Sequence, residues 1–350
     1  MNDLVDIMSV SRDEMASWMQ QQGWTRYRGD QLFESLWRHR VVSYGQISSW
    51  PKDMRQKMEQ IAPFYRLQTA AVQKGTHGTR KILARLRDGQ QIETVVLPHS
   101  YGYSVCVSSQ VGCNMGCNFC ASGLLKRTRN LTSGEILDQV RLANDVIALE
   151  QRVVSRVDLM GIGEPLDNYD NVIRFIQMAH DSHGFNLSYR HFTISTSGLI
   201  PDIYRLSQEK LPVTLAVSLH APNDVLRSQI MPINKAYPIE PLLRACKSYF
   251  DNTGRRVSFE YALLDGVNDS NNMAHQLADL LQGFSCHVNL IPWNPVPEHP
   301  FSPSPKKRVE EFQRIVQNRG ISCTIRKELG QDIEAACGQL RRHEEELLSP

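Results

Sequence analysis

Cys113-Asn-Met-Gly-Cys117-Asn-Phe-Cys120 sets three cysteines at the spacing C-x3-C-x2-C. Just before it, Tyr103-Ser-Val-Cys-Val-Ser-Ser109 alternates apolar with small polar residues and reads as a strand, so the cysteines sit on the loop leaving that strand. Thiolates are soft ligands that suit zinc or iron–sulfur clusters. A closed zinc site wants four protein ligands, usually as two close pairs, and no second C-x2-C or H-x3-H pair occurs in the chain. Three local thiolates fit a four-iron cluster with one iron left open to chelate a small molecule. The alternative is structural zinc or three buried thiols.

The rest of the chain bounds what such a loop can serve. Its 350 residues, 41% of them hydrophobic, exceed what one compact core usually organises, so a large domain and a smaller one are expected. A net charge of +2 announces no global affinity for nucleic acid, and basic residues would have to act as local patches. Eight cysteines without a signal-peptide pattern, and no apolar run of about twenty residues, point to a reducing cytoplasm and exclude a membrane-spanning helix.

Upstream of the cysteines, Ser11-Arg-Asp-Glu14 is a capping box leading into a helix over 15–22, stopped by Gly23. A second helix is expected from Gly29 to Arg40, with Leu32, Phe33, Leu36 and Trp37 on one face, and a third after Pro51. Their charged faces read as solvated, with RNA contact through arginines interleaved with Trp24 and Tyr27 as the alternative. Thr79–Arg87 and Gln91–Leu97 are alternating strands joined at Asp88-Gly89, a hairpin signal. Glu93 stands among apolar neighbours in the second strand. It either faces solvent or, facing a pocket, has a raised pKa and acts as a base.

From residue 103 onward, strand and helix patterns alternate. Strand-like runs cover 104–108, 156–160, 191–195, 213–219, 257–263 and 287–291. Helix-like stretches lie between them and after the last, at 306–319. Six β-α units imply a parallel, right-handed array closed or nearly closed into a barrel, with chemistry at the carboxyl ends of the strands. Those ends are polar or glycine-rich: Gly161-Ile-Gly163-Glu164-Pro165, Ser195-Thr-Ser-Gly198, Ser218-Leu-His220-Ala-Pro222 and Pro292-Trp-Asn294-Pro295. Glycines there let backbone approach a ligand, and Glu164 can accept hydrogen bonds from an ammonium group. Cys106 lies within the first strand, and Cys337 follows a last strand-like run at 322–326. Each reads as a small buried hydrophobe or as a presented thiol. Cys246, Cys286 and Cys323 read as packing residues.

The cysteine spacing, with Phe119 before the last cysteine, resembles the signature of radical S-adenosylmethionine (SAM) enzymes. Over nearly its whole length the chain resembles the RlmN/Cfr family of radical SAM RNA methyltransferases. The motifs that carry this include Arg28-Gly-Asp-Gln-Leu-Phe, Ile92-Glu-Thr-Val, Cys106-Val-Ser-Ser-Gln-Val-Gly-Cys113, Arg129-Asn-Leu-Thr, Met160-Gly-Ile-Gly-Glu-Pro-Leu and Ser218-Leu-His-Ala-Pro-Asn. Met231-Pro-Ile-Asn, Gly266-Val-Asn-Asp, Asn289-Leu-Ile-Pro-Trp-Asn-Pro and Asp332-Ile-Glu-Ala-Ala-Cys-Gly-Gln-Leu continue it. The fold implied is α/β, a radical SAM partial (β/α)6 barrel over residues 98–350 with a helical and β-hairpin RNA-binding accessory domain at 1–97.

The resemblance also implies roles. One 4Fe–4S cluster would be held by Cys113, Cys117 and Cys120, and two SAM molecules would be used per turnover. Gly163, Glu164, Ser195, Ser218, Leu219, His220 and Asn294 would line the SAM site. Cys337 would take a methyl group from the first SAM by thiolate attack. The radical made from the second would activate that methyl for addition to an adenine ring carbon, with Glu93 as base. Cys106 would release the product by forming a disulfide with Cys337. The expected substrate is an adenosine of 23S rRNA, with an anticodon-loop adenosine of tRNA as a second. The amino-terminal helices and Lys126-Arg-Thr-Arg129 would grip the RNA. Gly163-Glu-Pro165 leans towards carbon 2, the RlmN side, while Met231-Pro-Ile-Asn and Tyr237-Pro-Ile resemble the carbon-8, Cfr side. Carbon 2 is the expectation. A flavodoxin- or ferredoxin-like electron donor and a monomer complete it. A radical SAM enzyme for a non-RNA substrate would not need Cys106 and Cys337 together, and a non-enzymatic RNA-binding protein with a structural cluster would explain the amino-terminal domain but not the open iron or the polar strand ends.

Overall fold

The computed structural model describes residues 5–327, 329–336 and 338–340. Its amino-terminal part consists of helices α1 (Arg12–Gln21), α2 (Arg26–Trp37) and α3 (Lys52–Ile61). The capping box forms as expected: the Glu14 carboxylate accepts from the Ser11 amide at 2.9 Å while the Ser11 side chain accepts from the Glu14 amide. α2 begins three residues before Gly29, which lies inside it. A Cβ at Gly29 would stand 2.4 Å from the Ala16 Cα, so the glycine is where α1 and α2 cross.

Three antiparallel strands follow, β1 (Gln68–Lys74), β2 (Arg80–Arg85) and β3 (Gln91–His99), and β3 pairs antiparallel with β4 (Gly102–Cys106). The Asp88-Gly89 turn joins β2 to β3 as expected. β1 has no counterpart in the sequence expectation because it is an edge strand exposed on both faces, which leaves no alternation to read. β3 also runs past Leu97 to His99 and so crosses the expected domain boundary, and β1 to β4 share one sheet with the barrel strands.

After β4, a two-residue ladder between β5 (Gln110–Val111) and β6 (Arg129–Asn130) ties together the two ends of the cysteine loop. The repeating units are then α4 (Ser133–Val146), β7 (Val154–Leu159), α5 (Tyr169–His180), β8 (Phe192–Thr196), α6 (Ile200–Glu209), β9 (Thr214–Ser218), α7 (Asp224–Ile230), α8 (Ile239–Thr253), β10 (Val257–Leu263), α9 (Asn271–Leu281), β11 (Cys286–Pro292), α10 (Lys306–Asn318) and β12 (Ser322–Ile325). The sheet order is β1-β2-β3-β4-β7-β8-β9-β10-β11-β12, parallel from β4 to β12 and open at both edges. Six strands each followed by a helix make the expected partial barrel, with β12 added at its edge.

Outward-facing side chains such as Val157, Ile194, Leu215, Phe259 and Val288 are buried beneath the helices. Each such side chain stabilises the fold by roughly 1.5–3 kcal/mol. Inward positions are polar, among them Ser104, Asp158, Thr193, Ser258, Glu260 and Asn289, and they line an interior cavity of about 770 Å3. A closed barrel fills this space with branched apolar residues. Here the lumen is left as room.

A candidate cofactor site at the carboxyl ends of the strands

Cys113, Cys117 and Cys120 line one cavity of about 160 Å3 above the lumen. Their loop is held from several sides. The Cys113 amide donates to the Leu125 carbonyl at 3.0 Å, the Asn118 amide to that of Ile230 at 2.9 Å, and the Trp293 indole to that of Phe119 at 2.9 Å. Gly112, at φ +79°, lies so close to Lys126 that a Cβ would meet its carbonyl oxygen at 2.4 Å. Burial pushes the Cys113 thiol up to about 12 and that of Cys117 well above its ordinary value. As bare thiols they would therefore be protonated at neutral pH, whereas ligation to a metal deprotonates a thiol outright. Among the described residues no three side chains converge as the ligands of a single ion would. A four-iron cluster asks for something else, three soft thiolates on three separate irons, and the loop supplies them.

The same cavity is lined by Gly163, Glu164, Ser195, Ser218, His220 and Asn294. Seven residues were expected to line the SAM site, and the cavity brings six of them beside the cysteines. Leu219 is the exception. Its side chain is buried in the main core, its amide donates to the Glu260 carbonyl at 3.0 Å, and its carbonyl accepts from Arg227.

Glu164 caps the turn after β7, accepting from the amides of Leu166 at 3.1 Å and Ser197 at 2.7 Å. Burial raises its pKa, against the lowering effect of those amides. The glycines before it have a reason beyond ligand approach. A Cβ on Gly161 would stand 2.7 Å from the Val107 backbone, and one on Gly163, at φ +108°, would stand 2.6 Å from the Gln110 Cβ. They let the exit of β7 pass hard against the exit of β4, and so bring Glu164 beside the cysteine loop. His220 sits at φ +56°, packs edge-on against Phe119 with ring centroids 4.7 Å apart, and accepts at Nδ1 from the Ala262 amide at 2.8 Å. That bond fixes a neutral ring with its proton on Nε2. Burial pulls its pKa down to about 3.

Glu260 was missed by the sequence reading. Burial raises its pKa, it accepts from Ser258 at 2.9 Å and Asn289 at 2.8 Å, and it lines both cavities. The strand register places it abreast of Ser218. The signal was the alternation Val257, Phe259, Tyr261, Leu263, which turns Ser258 and Glu260 to the opposite face. Arg326, also without a role in the sequence expectation, lines the cavity too, as do Trp293, from the strand end at 292–295, and Met231.

Cys106 is buried at the end of β4 and packs with Val95, Ile162, Ala335 and Leu340. Cys337 lies outside the described residues, and no disulfide joins the described cysteines. Gly338 lines the cysteine cavity, and its carbonyl accepts from the Ala121 amide at 2.8 Å. Glu93 is buried rather than solvent-facing and stands outside both cavity walls, with the Lys81 ammonium 3.2 Å away. Of the basic stretch, Arg127 pairs with Asp167, and Arg129 pairs with Asp88 and Glu135, so those charges are partly committed within the protein. Cys246, Cys286 and Cys323 belong to the core. No helix among the described residues is long and apolar enough to cross a membrane.

Comparison with known proteins bears on this geometry. The model of the Radical SAM superfamily matches residues 107–278. A Bacillus pumilus protein named probable dual-specificity RNA methyltransferase RlmN is 46% identical over 342 residues, 98% of this chain and 95% of its own. One of the same name from Halalkalibacterium halodurans is 45% identical over 342 residues, 98% and 94% of the two chains. The crystal structure of a radical SAM methyltransferase from Sphaerobacter thermophilus matches with a TM-score of 0.93 at 44% identity, covering 95% of this chain and 98% of that one.

Proposed function

Because this chain belongs to the RlmN family of radical SAM RNA methyltransferases, we propose that it methylates carbon 2 of an adenosine in 23S rRNA, and of an anticodon-loop adenosine in tRNA. The proposed cofactors are one 4Fe–4S cluster on Cys113, Cys117 and Cys120 and two SAM molecules per turnover. Cys113, Cys117 and Cys120 would hold the cluster, which would supply the one electron for reductive cleavage of SAM. Every other step falls to the chain's own residues.

Ring carbons 2 and 8 of adenine are electrophilic and do not attack the SAM methyl, so the methyl has to be carried first by a nucleophile. Cys337 is that nucleophile, displacing the methyl from SAM as a thiolate. After hydrogen abstraction from the S-methyl group, its carbon joins the ring. Glu93 takes the ring proton. The Cys106 thiolate then attacks the Cys337 sulfur, and the bond from that sulfur to the transferred carbon breaks with its electron pair left on the carbon, which takes a proton to become methyl. The odd electron left by the radical addition would return to the cluster. The two cysteines are left as a disulfide that a cellular thiol reductant reopens. Glu164 holds the SAM ammonium, while Ser195, Ser218, His220 and Asn294 take its remaining polar groups. The lumen gives a nucleotide room beneath the site. A flavodoxin- or ferredoxin-like protein would reduce the cluster in the cytoplasm.

The observation that carries this reading is that Cys106 shares one small apolar cluster with Ala335 and Leu340, which stand on either side of position 337 in sequence, while Gly338 lines the cavity of the three cysteines. The test is nucleoside mass spectrometry of ribosomal RNA and tRNA with and without the protein, together with two variants. Wild type yields 2-methyladenosine, Cys337→Ala abolishes it with the cluster intact, and Cys106→Ala traps a covalent protein–RNA adduct. A Cys106→Ala enzyme that turns over removes the disulfide step. 8-Methyladenosine would move the chain to the Cfr-like activity, a reading that Met231-Pro-Ile-Asn favours.

A further inference from the structure

Arg227, on α7, stands at the centre of the scaffolding around the cavity, and none of the steps above uses it. Its side chain has no solvent exposure. Nε donates to the Leu219 carbonyl at 3.1 Å, and Nη2 donates to those of Ser197 at 2.7 Å and Ser218 at 3.0 Å. Nη1 donates to Asn234 Oδ1 at 2.8 Å and the Tyr237 carbonyl at 3.3 Å. Every acceptor is neutral, and among the described residues Arg227 forms no ion pair. The nearby Asp224 carboxylate is taken up by Asn234 and the Ile239 amide. Burial pulls Arg227 down only to about 10, so it remains a cation at neutral pH.

A buried cation without a carboxylate is expensive, and such a group persists where a negative charge arrives from elsewhere. The cysteine loop rests on the same helix. Asn118 donates its amide to the Ile230 carbonyl at 2.9 Å and its side chain to the Gln229 carbonyl at 2.7 Å, and Met231 lines the cavity with Cys117. We propose that Arg227 is a positioning residue whose planar fork sets the spacing of the β8 and β9 exits for SAM, and whose charge offsets the thiolates of the cluster. The proposal rests on the cluster and SAM assignments above. Lysine could supply the charge but not the fork, since it is a point cation rather than a plane of five donors.

Arg227→Gln and Arg227→Lys separate the two roles in anaerobically reconstituted full-length protein. Cluster potential is read by EPR-monitored titration without SAM, and SAM affinity by calorimetry. Arg227→Gln should make reduction at least tenfold less favourable, a 59 mV negative shift for a one-electron couple. Arg227→Lys should keep the potential within a third of that shift and bind SAM about tenfold more weakly. A Gln variant with a full cluster and an unmoved potential overturns the counter-charge, and wild-type SAM affinity in Arg227→Lys overturns the positioning. Should Arg227→Gln take up no cluster, Arg227→Lys decides both roles: full cluster uptake supports the counter-charge and failure of uptake overturns it, while its SAM affinity decides the positioning by the same criterion. Wild-type protein that binds no four-iron cluster would overturn the functional reading and this proposal together, whereas unmoved variants of a loaded wild type overturn this proposal alone.

Discussion

At Glu164, desolvation favours the neutral acid while an ammonium ligand needs the carboxylate. SAM affinity should therefore fall as pH is lowered through the raised folded value of Glu164, seen as a pH dependence of the calorimetric affinity, and Glu164→Gln should flatten that dependence. The same variant should weaken SAM binding by about 1.5–3 kcal/mol, roughly 10- to 100-fold. His220 works in the opposite sense. Its folded pKa lies below the ordinary histidine value, so its stabilising contribution is present above about pH 6.5 and is lost as pH falls towards about 3. The unfolding free energy of wild type, from urea denaturation, should drop across that window with a slope approaching about 1.4 kcal/mol per pH unit, and His220→Gln should flatten the slope. The polar strand ends were legible because strand-end chemistry is a property of short local sequence. Glu260 and Arg227 were not, because a lone charged residue in a strand or helix reads as solvated until the fold shows which face it takes.

Among the elements, the junction of β4 and β7 is where the cavity is built, and its two glycines can be tested against one in open space. Gly161→Ala and Gly163→Ala each force a Cβ into the neighbouring chain and should cost about 1–3 kcal/mol by urea denaturation. Gly254→Ala, at φ +66° with nothing within 4 Å, carries only the left-handed backbone penalty of about 1–2 kcal/mol. The functional readout separates them further, since the first two displace Glu164 and should lower SAM affinity while the third leaves it unchanged. Strand and helix positions in the repeating units followed from periodicity, which parallel strands under a helical layer display clearly. β1 and the β5–β6 ladder escaped for opposite reasons: one is exposed on both faces, and the other is too short to have a period.

Across the whole molecule, the amino-terminal helices are riveted to the barrel through Asp138 on α4. Its carboxylate pairs with Arg66 at 2.7 Å and Arg141 at 2.6 Å and accepts from the Leu67 amide at 2.7 Å, while Arg66 also holds the carbonyls of Leu36 and Val41. Burial alone would raise Asp138, but the two guanidiniums hold it below the ordinary carboxylate range. Its contribution is thus present above that range and lost as pH falls through the folded value. Asp138→Ala leaves the buried Arg66 without its carboxylate partner, while Arg141 keeps Asp145 at 2.6 Å, and should cost about 3–5 kcal/mol in urea denaturation, with amide exchange rising first in 26–67. No sequence pattern joins residues 66 and 138, so this rivet became visible only with the fold. The cover on the cysteine loop is also distant in sequence, since Ser122 donates to the Leu340 carbonyl across 218 residues. A ribosome adding about 5–20 residues per second needs roughly 10–40 s to make that stretch. Throughout that interval the nascent chain presents its three thiols without their lid, so metal delivery can be completed during translation, before the last segment docks over the loop.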